Sequence, residues 1–174
     1  DHVSRGERNG VAFPHSCIVE FEFPAQETLP PFRLYWYDGG MKPLTPDELD
    51  QDGRELPREG MMFVGESGKI LAGFRGERPV LIPEKRMIEF TGGAEPPEEK
   101  TSRNERVWIE AFKSGTQSPG TFLKALPVTE TILLGGVALR AGKKLVWNSE
   151  KGEITNLPEA NKYLTRTYRE GWEM

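Results

Sequence analysis

The N-terminal part of the chain alternates apolar with polar residues, which predicts two paired strands. Residues 16–23 read SCIVEFEF, with an apolar side chain at every second position, as in a half-buried strand. Residues 32–40, FRLYWYDGG, predict a second strand that Asp-Gly-Gly ends. Because side chains of a strand alternate between its faces, one face carries Phe32, Leu34 and Trp36, and the other carries Arg33, Tyr35 and Tyr37. We expect the first face to lie under helices and the second to meet a second subunit or a substrate.

The eight residues between these strands are expected to close a hairpin. If the two phenylalanines beside the loop are partners, the cross-strand pairs are Phe23 with Phe32, Glu22 with Arg33, and Glu20 with Tyr35. This register places a guanidinium and a phenol opposite carboxylates.

Two more segments have the pattern of β-hairpins, and two have the composition of loops. Residues 61–73, MMFVGESGKILAG, hold two apolar runs around a Glu-Ser-Gly turn, and RPVLIP adds a short strand that Pro83 ends. Residues 144–156 predict a second, shorter hairpin. Residues 41–60 and 84–103 are rich in charge, proline and glycine, so we predict surface loops there, with one helical turn at 46–49.

The C-terminal seventy residues change to helical spacing. Helices are predicted over 104–115 and over 127–141, the second with proline in its first turn and Gly142 just past its end. Gly135-Gly136 within it predicts close packing of its backbone. A brief helix is expected at 157–164, followed by an aromatic tail. Strands first and helices later predict an α+β fold, an open and mostly antiparallel β-sheet with helices packed on one face, in a single domain of residues 1–174.

Composition narrows the class of protein. The 174 residues are 36% hydrophobic and 29% charged with a net charge of −4, which describes a soluble globular protein and disfavours nucleic acid as a partner. We expect no membrane span, since no run of apolar residues approaches the roughly 20 that one requires. The single cysteine, Cys17, lies in the first strand pattern and is expected to be a small buried hydrophobe.

The familiar catalytic motifs are absent from the sequence. GESGK at 65–69 lacks the spacing of a phosphate-binding loop and is better explained as a hairpin turn. The two histidines, His2 and His15, have no carboxylate or cysteine at the spacing of metal ligands, and no serine or cysteine has a histidine base. The residues alone therefore predict a domain without catalytic machinery of its own.

Long motifs resemble the C-terminal domain of the glucose-fructose oxidoreductase, inositol dehydrogenase and MocA family, in a bacterial branch. The segment LPVTETILLGGVALRAGKKLVWNSEKGEITNLPEANKYLTRTYREGW is similar to the end of those proteins, and LYWYDGG and VWIEAFKSG are similar to two earlier family segments. The resemblance covers about residues 13–172. It implies a parent protein in which an N-terminal Rossmann domain binds NAD or NADP and carries a catalytic lysine in a Glu-Lys-Pro motif. Neither that motif nor G-x-G-x-x-G is in this chain, whose abrupt beginning suggests a fragment.

The resemblance also assigns roles. The parent would transfer hydride between the nicotinamide and a sugar or cyclitol, in the bacterial cytoplasm or periplasm, while this part binds substrate and pairs subunits into a homo-oligomer through its open sheet. Candidate substrate-binding residues are Tyr37, Tyr35, Asp38, Arg169 and Trp172, and a candidate dimer face holds Arg33, Tyr35 and Tyr37. No catalytic, cofactor-binding or metal-binding residue is expected in this chain. The alternative is a free-standing carbohydrate-binding or protein-interaction module, in which the arginine and tyrosine face binds glycan.

Overall fold

The structure is a computed structural model, and it describes residues 2–5, 12–94, 104–118 and 120–173. The chain divides into two compact units. One comprises Asp1–Met41 together with Gln117–Met174, and the other comprises Lys42–Thr116. We call them the outer unit and the inner unit, because the second is contiguous and lies between the two parts of the first in sequence.

In its described residues the outer unit has five short strands and one long helix. Its elements are β1 (His2–Arg5), β2 (Ser16–Phe23), β3 (Phe32–Asp38), α4 (Phe122–Ala141), β7 (Trp147–Asn148), β8 (Glu153–Ile154) and a 3-10 helix (Pro158–Tyr163). Strands β1, β2 and β3 form one antiparallel sheet in that order, and β7 with β8 forms a second. Strand β1 falls where the sequence showed no strand pattern.

The predicted register of the first hairpin is confirmed. Phe23 lies opposite Phe32, Glu22 opposite Arg33, and Glu20 opposite Tyr35. The rings of Phe23 and Phe32 stack with their centroids 4.6 Å apart and their planes 13° from parallel. Because an aromatic pair beside the loop fixes the alignment of both strands, the alternation of faces follows along the whole hairpin.

Helix α4 packs closely against β2 at Gly135, as the Gly-Gly pair predicted. Gly135 is buried, and a Cβ placed there would lie 2.8 Å from Cζ of Phe21 and 3.5 Å from Cγ1 of Val19. Only a residue without a side chain permits this approach of helix to sheet. At its C-terminus Gly142 adopts the left-handed conformation and its N–H donates to the Ala138 carbonyl at 2.8 Å, which confirms the predicted end.

The predicted start of this helix at residue 127 is wrong. The helix begins at Phe122, where the N–H groups of Lys124 and Ala125 each donate to the Thr121 carbonyl at 3.0 Å, and Pro127 lies inside it. A proline inside a helix removes one hydrogen bond to the carbonyl four residues earlier, here that of Leu123. Leu123 is 74% exposed, so this end of the helix lies at the surface, where water satisfies a carbonyl.

The earlier start also changes the assessment of apolar runs. Among the described residues α4 is the one helix long and apolar enough to cross a membrane by length and composition, with a mean hydropathy of 1.5. The expectation that no apolar run approaches that length is therefore wrong. Its two glycines and its buried Val137 and Ala138 pack instead within the outer unit.

The apolar face of β3 is not covered as expected. In an antiparallel pair, opposite residues share a face, so Phe32, Leu34 and Trp36 lie on the same side as the helix-facing residues of β2. They are nevertheless 47%, 44% and 47% exposed. The contacts of α4 with this sheet run to β2 and β1, which leaves the face of the edge strand β3 half open.

The inner unit has its own sheet and core. It contains α1 (Asp47–Gln51), β4 (Met61–Gly65), β5 (Gly68–Ala72), β6 (Val80–Ile82), α2 (Glu84–Thr91) and α3 (Asn104–Ser114). Strands β4, β5 and β6 pair antiparallel in that order, with the predicted turn at Glu66-Ser67. Leu49, Leu71 and Ile82 form the buried core, packed against Leu56, Met62 and Val80.

Two predicted loops contain helices. Residues 84–91 form α2, and the predicted turn at 46–49 is the helix α1. Gly92, which was assigned to the loop at 84–103, instead ends α2 in the left-handed conformation, and Pro83, which was predicted to end the preceding strand, directly precedes the helix. A carboxylate oxygen of Asp52 accepts the Glu84 N–H at 2.8 Å, which satisfies one of the first N–H groups. Residues 95–103 of this prediction lie outside the described residues.

The C-terminal segment follows its predictions closely. The hairpin at 144–156 and the short helix at 157–164 are both present, and Val137, Ile154 and Ala160 form a second buried core. The amide of Asn161 joins these elements, because its Oδ1 accepts the Ile154 N–H at 2.8 Å and its Nδ2 donates to the Ile154 carbonyl at 2.9 Å. The α+β class with antiparallel sheets is thus confirmed, although the strands form three small sheets.

Candidate functional site

The β2–β3 hairpin presents a row of polar side chains on the face opposite α4, which we call the polar face: Glu20, Glu22, Arg33, Tyr35 and Tyr37. The phenol of Tyr35 donates to Oε1 of Glu20 at 3.1 Å, and Nε of Arg33 lies 3.7 Å from the same oxygen. Glu20 is therefore the centre of a small network that both neighbouring side chains enter. The structure thus brings the predicted residues Arg33, Tyr35 and Tyr37 onto one face.

Ion pairing sets the charge states on the polar face. Nζ of Lys144, just past the end of α4, donates to Oε2 of Glu22 at 2.5 Å, and this hydrogen bond together with the charge of Lys144 lowers the pKa of Glu22. The pKa of Arg33 is raised, first by its hydrogen bond with Tyr35 and then by the carboxylates of Glu20 and Glu22. The hydrogen bonds and opposite charges around Glu22 and Arg33 thus favour their charged forms. The polar face therefore presents charged groups and phenols that can form hydrogen bonds with the hydroxyl groups of a ligand.

Tyr37 and Asp38 lie on different faces. Tyr37 is half-buried opposite Ile18, on the polar face, whereas Asp38 lies opposite Cys17 on the face shared with Trp36. Burial first, and the negative charge of Asp38 second, raise the pKa of the Cys17 thiol. Cys17 is 6% exposed, which confirms that it is a buried thiol. The sequence grouped Asp38 with the tyrosines because it neighbours them in the chain, but the alternation of the strand separates them.

The other two predicted site residues meet in the C-terminal tail. The guanidinium of Arg169 lies over the ring of Trp172, with Cζ 4.3 Å from the ring centroid. Three residues before Arg169, the guanidinium of Arg166 lies over the ring of Tyr168, with Cζ 4.6 Å from the ring centroid. With Thr167 these residues line a shallow depression, which we call the tail depression. Its lining includes none of the polar-face residues.

Sequence reasoning missed Arg166 and Tyr168. The signal was present in RTYREGW, where an arginine precedes each aromatic residue by two or three positions. In an irregular segment this spacing lets a guanidinium fold back over the following ring, but no helical or strand period marks it. The prediction named only the pair nearest the end of the motif.

Metal-ligating side chains do not gather anywhere in the described part of the chain. No group of three or more His, Cys, Asp or Glu residues there is arranged to hold a metal ion. In the inner unit Lys69 pairs with Glu48, and its Nζ lies 2.5 Å and 2.6 Å from the two carboxylate oxygens. That contact is an ion pair and positions α1 against β5.

We compared the chain with protein families, curated proteins and solved structures, and none of the three comparisons found a match.

Proposed function

We propose that this chain is the substrate-binding and oligomerisation part of an NAD(P)-dependent sugar or cyclitol oxidoreductase. In this proposal a Rossmann domain N-terminal to it holds NAD or NADP and supplies the catalytic lysine. The motifs between residues 13 and 172 that resemble the inositol dehydrogenase family support it, and an α+β fold is compatible with it.

The observation that carries the proposal is the apolar surface of the outer unit. On the sheet, Phe32, Leu34 and Trp36 are each nearly half exposed. On α4, Phe122 is 93% exposed and Leu126, Val128, Ile132 and Leu133 are each more than 60% exposed. Monomeric soluble proteins rarely expose large apolar patches, and such patches mark sites of association. The chain therefore fits a role in which another domain or a second copy covers this surface.

The polar face supplies what a sugar requires. A sugar presents neighbouring hydroxyl groups, each of which donates and accepts a hydrogen bond. Glu20 on β2 accepts hydrogen bonds. On β3, Arg33 donates them, and Tyr35 and Tyr37 can donate or accept, with these three residues spaced by two positions along the strand. These side chains would orient the substrate while the Rossmann domain carries out the chemistry.

The test uses the complete protein encoded by the gene and the 174-residue chain alone. We expect the complete protein to reduce NAD or NADP in the presence of a sugar or cyclitol, and the chain alone to bind neither nucleotide by calorimetry. Tyr37→Phe removes one hydroxyl hydrogen bond of about 1 kcal/mol, so KM should rise roughly fivefold. Tyr163→Phe, in the second core, is the matched control and should leave KM unchanged.

Two results would contradict the proposal. One is tight binding of NAD or NADP to the chain alone. The other is a complete protein that has no nucleotide-binding segment upstream and reduces neither nucleotide with any sugar. The second result favours a free-standing carbohydrate-binding module, for which the exposed ring of Trp172 in the tail depression is the supporting observation.

A further inference from the structure

The tail depression combines two guanidinium groups with two aromatic rings in a stretch of seven residues. Arg166 lies over Tyr168, and Arg169 lies over Trp172. The Trp172 side chain remains 63% exposed, so the ring is covered by Arg169 on one side and is largely open elsewhere. These residues, with Thr167, line the depression.

Contact with a ring leaves N–H donors of each arginine for a ligand. A guanidinium has five N–H groups in a planar fork, and an aromatic ring beside its Cζ uses its charge without accepting all of them. In the described part of the chain neither Arg166 nor Arg169 forms an ion pair with a carboxylate. Stacking also restricts the side chain beforehand, so less rotamer entropy is lost when a ligand binds.

The acidic residues of the tail, Glu170 and Glu173, do not line the depression. A carboxylate oxygen of Glu173 accepts the backbone N–H of Gly171 at 2.9 Å. Glu170 is exposed and lies outside the lining of the depression. The depression therefore presents positive charge with planar donors, which suits a carboxylate or a phosphate.

We propose that the tail depression binds a sugar that carries a carboxylate or phosphate group. The anionic group would accept hydrogen bonds from Arg166 and Arg169, and the C–H face of the sugar ring would lie on the open side of Trp172. The anion requirement comes from the arginines, whereas the choice of a sugar rests on the proposed function. This assignment adds Arg166 and Tyr168 to the substrate-binding residues and names an acidic sugar as the substrate class.

The test is a titration of the 174-residue chain with ligands, in which binding is measured by calorimetry and by tryptophan fluorescence. The ligands are glucuronate, glucose 6-phosphate, glucose, inorganic phosphate and AMP. We expect at least one of the two acidic sugars to bind about tenfold more tightly than both glucose and inorganic phosphate, and to weaken as salt is raised. Glucuronate against glucose 6-phosphate shows which anion the site prefers.

Variants locate the binding. Arg169→Gln and Arg166→Gln should each weaken binding of the acidic sugar by about tenfold, because each removes a charge-assisted donor. Arg54→Gln, an exposed arginine of the inner unit, is the matched control and should have no effect. Far-UV circular dichroism confirms that each variant is folded.

Several outcomes would overturn the inference. The inference fails if glucose binds as tightly as both acidic sugars, or if inorganic phosphate does. It also fails if AMP binds more tightly than either acidic sugar, or if no ligand binds. Equal weakening of acidic-sugar binding by Arg54→Gln and Arg169→Gln would show that the site lies elsewhere. The proposed function is tested separately, since nucleotide reduction by the complete protein does not depend on whether its sugar is acidic. If the complete protein reduces NAD or NADP with neutral sugars alone, this inference is refuted and the proposed function is retained. If the chain binds an acidic sugar but the complete protein reduces neither nucleotide, the proposed function is refuted and this inference is retained.

Discussion

Alanine at Gly135 tests whether α4 and β2 pack as closely as the structure shows. Alanine is favoured over glycine inside a helix by about 1 kcal/mol, so the substitution alone should stabilise α4. The new Cβ, however, would lie 2.8 Å from Cζ of Phe21, closer than atoms in contact allow. Overpacking of this kind costs about 1–3 kcal/mol, and the cost depends on how far the Phe21 ring moves.

The neighbouring glycine is a matched control. At Gly136 the nearest atom to a new Cβ would be Cε1 of Phe13 at 3.6 Å, an ordinary contact. Gly136→Ala should therefore stabilise the protein by up to about 1 kcal/mol, and Gly135→Ala should be about 1–3 kcal/mol less stable than Gly136→Ala. In the Phe21→Ala background, which removes the contacting ring, Gly135→Ala should become stabilising.

Urea denaturation followed by tryptophan fluorescence measures these differences. Of the four tryptophans, only Trp108 lies in the inner unit, so a Trp108→Phe background makes the signal report on the outer unit. Equal stabilisation by alanine at Gly135 and Gly136, or no coupling between Gly135 and Phe21 in the double-mutant cycle, would refute the close packing of helix and sheet.

Three further predictions concern acid stability, thiol reactivity and the second core. Lys69 lowers the pKa of Glu48 mainly through a hydrogen bond. The pair therefore stabilises the fold fully at pH values above the ordinary pKa of a glutamate. This stabilisation is lost as the pH falls from that value through the lower pKa of the folded state. Glu48→Gln should flatten the fall in urea midpoint between about pH 7 and about pH 3, and an unchanged slope would count against the ion pair. The raised pKa and burial of Cys17 predict reaction with a disulfide reagent at least about tenfold slower in the native protein than in urea, and equal rates would show that the thiol is accessible. Asn161→Ala leaves the N–H of the buried Ile154 without its partner and should reduce the free energy of unfolding by about 1–3 kcal/mol, whereas a loss below about 0.5 kcal/mol would show that water replaces the amide.

Local chemistry explains which elements the sequence predicted well. The Phe23 and Phe32 pair fixed the hairpin register because two aromatic rings beside a loop gain more by stacking than by any shifted alignment. Gly142 marked the end of α4 because a left-handed residue is needed there. The hairpin turn at Glu66-Ser67 followed from two apolar runs around it. In each case residues close in sequence carried the information.

Errors arose where a residue type has two opposite uses. Gly92 was taken as part of a loop and Pro83 only as the end of a strand, yet they border α2, since proline is tolerated where a helix begins and glycine where it ends. Pro127 was assumed to start α4, although the helix already has five residues before it. These choices depend on the flanking contacts, such as the capping of Glu84 by Asp52, which join residues far apart in sequence.

The candidate site was predicted in outline from the alternation of β3. That alternation placed Arg33, Tyr35 and Tyr37 together, which the register confirms. It also placed Tyr35 opposite Glu20, but it could not show that Arg33 lies beside the same carboxylate, because that depends on side-chain rotamers. Nor could it show how much of Trp36 a helix would cover, because that depends on where α4 crosses the sheet. The tail depression depends on side chains in irregular backbone, for which the sequence has no periodic signal.

The division of the chain has a consequence for its synthesis. The inner unit, Lys42–Thr116, is contiguous, so it can complete its core while later residues are still being added. The outer unit needs strands from before this segment and α4 from after it, so it must wait until translation has passed Ala141. Until then the apolar side chains of β2 have no helix to cover them, and exposed apolar surface of this kind makes a growing chain prone to aggregation. Stalling translation after the inner unit has emerged, and before α4 has, should therefore yield a protease-resistant inner unit preceded by a protease-sensitive N-terminal segment.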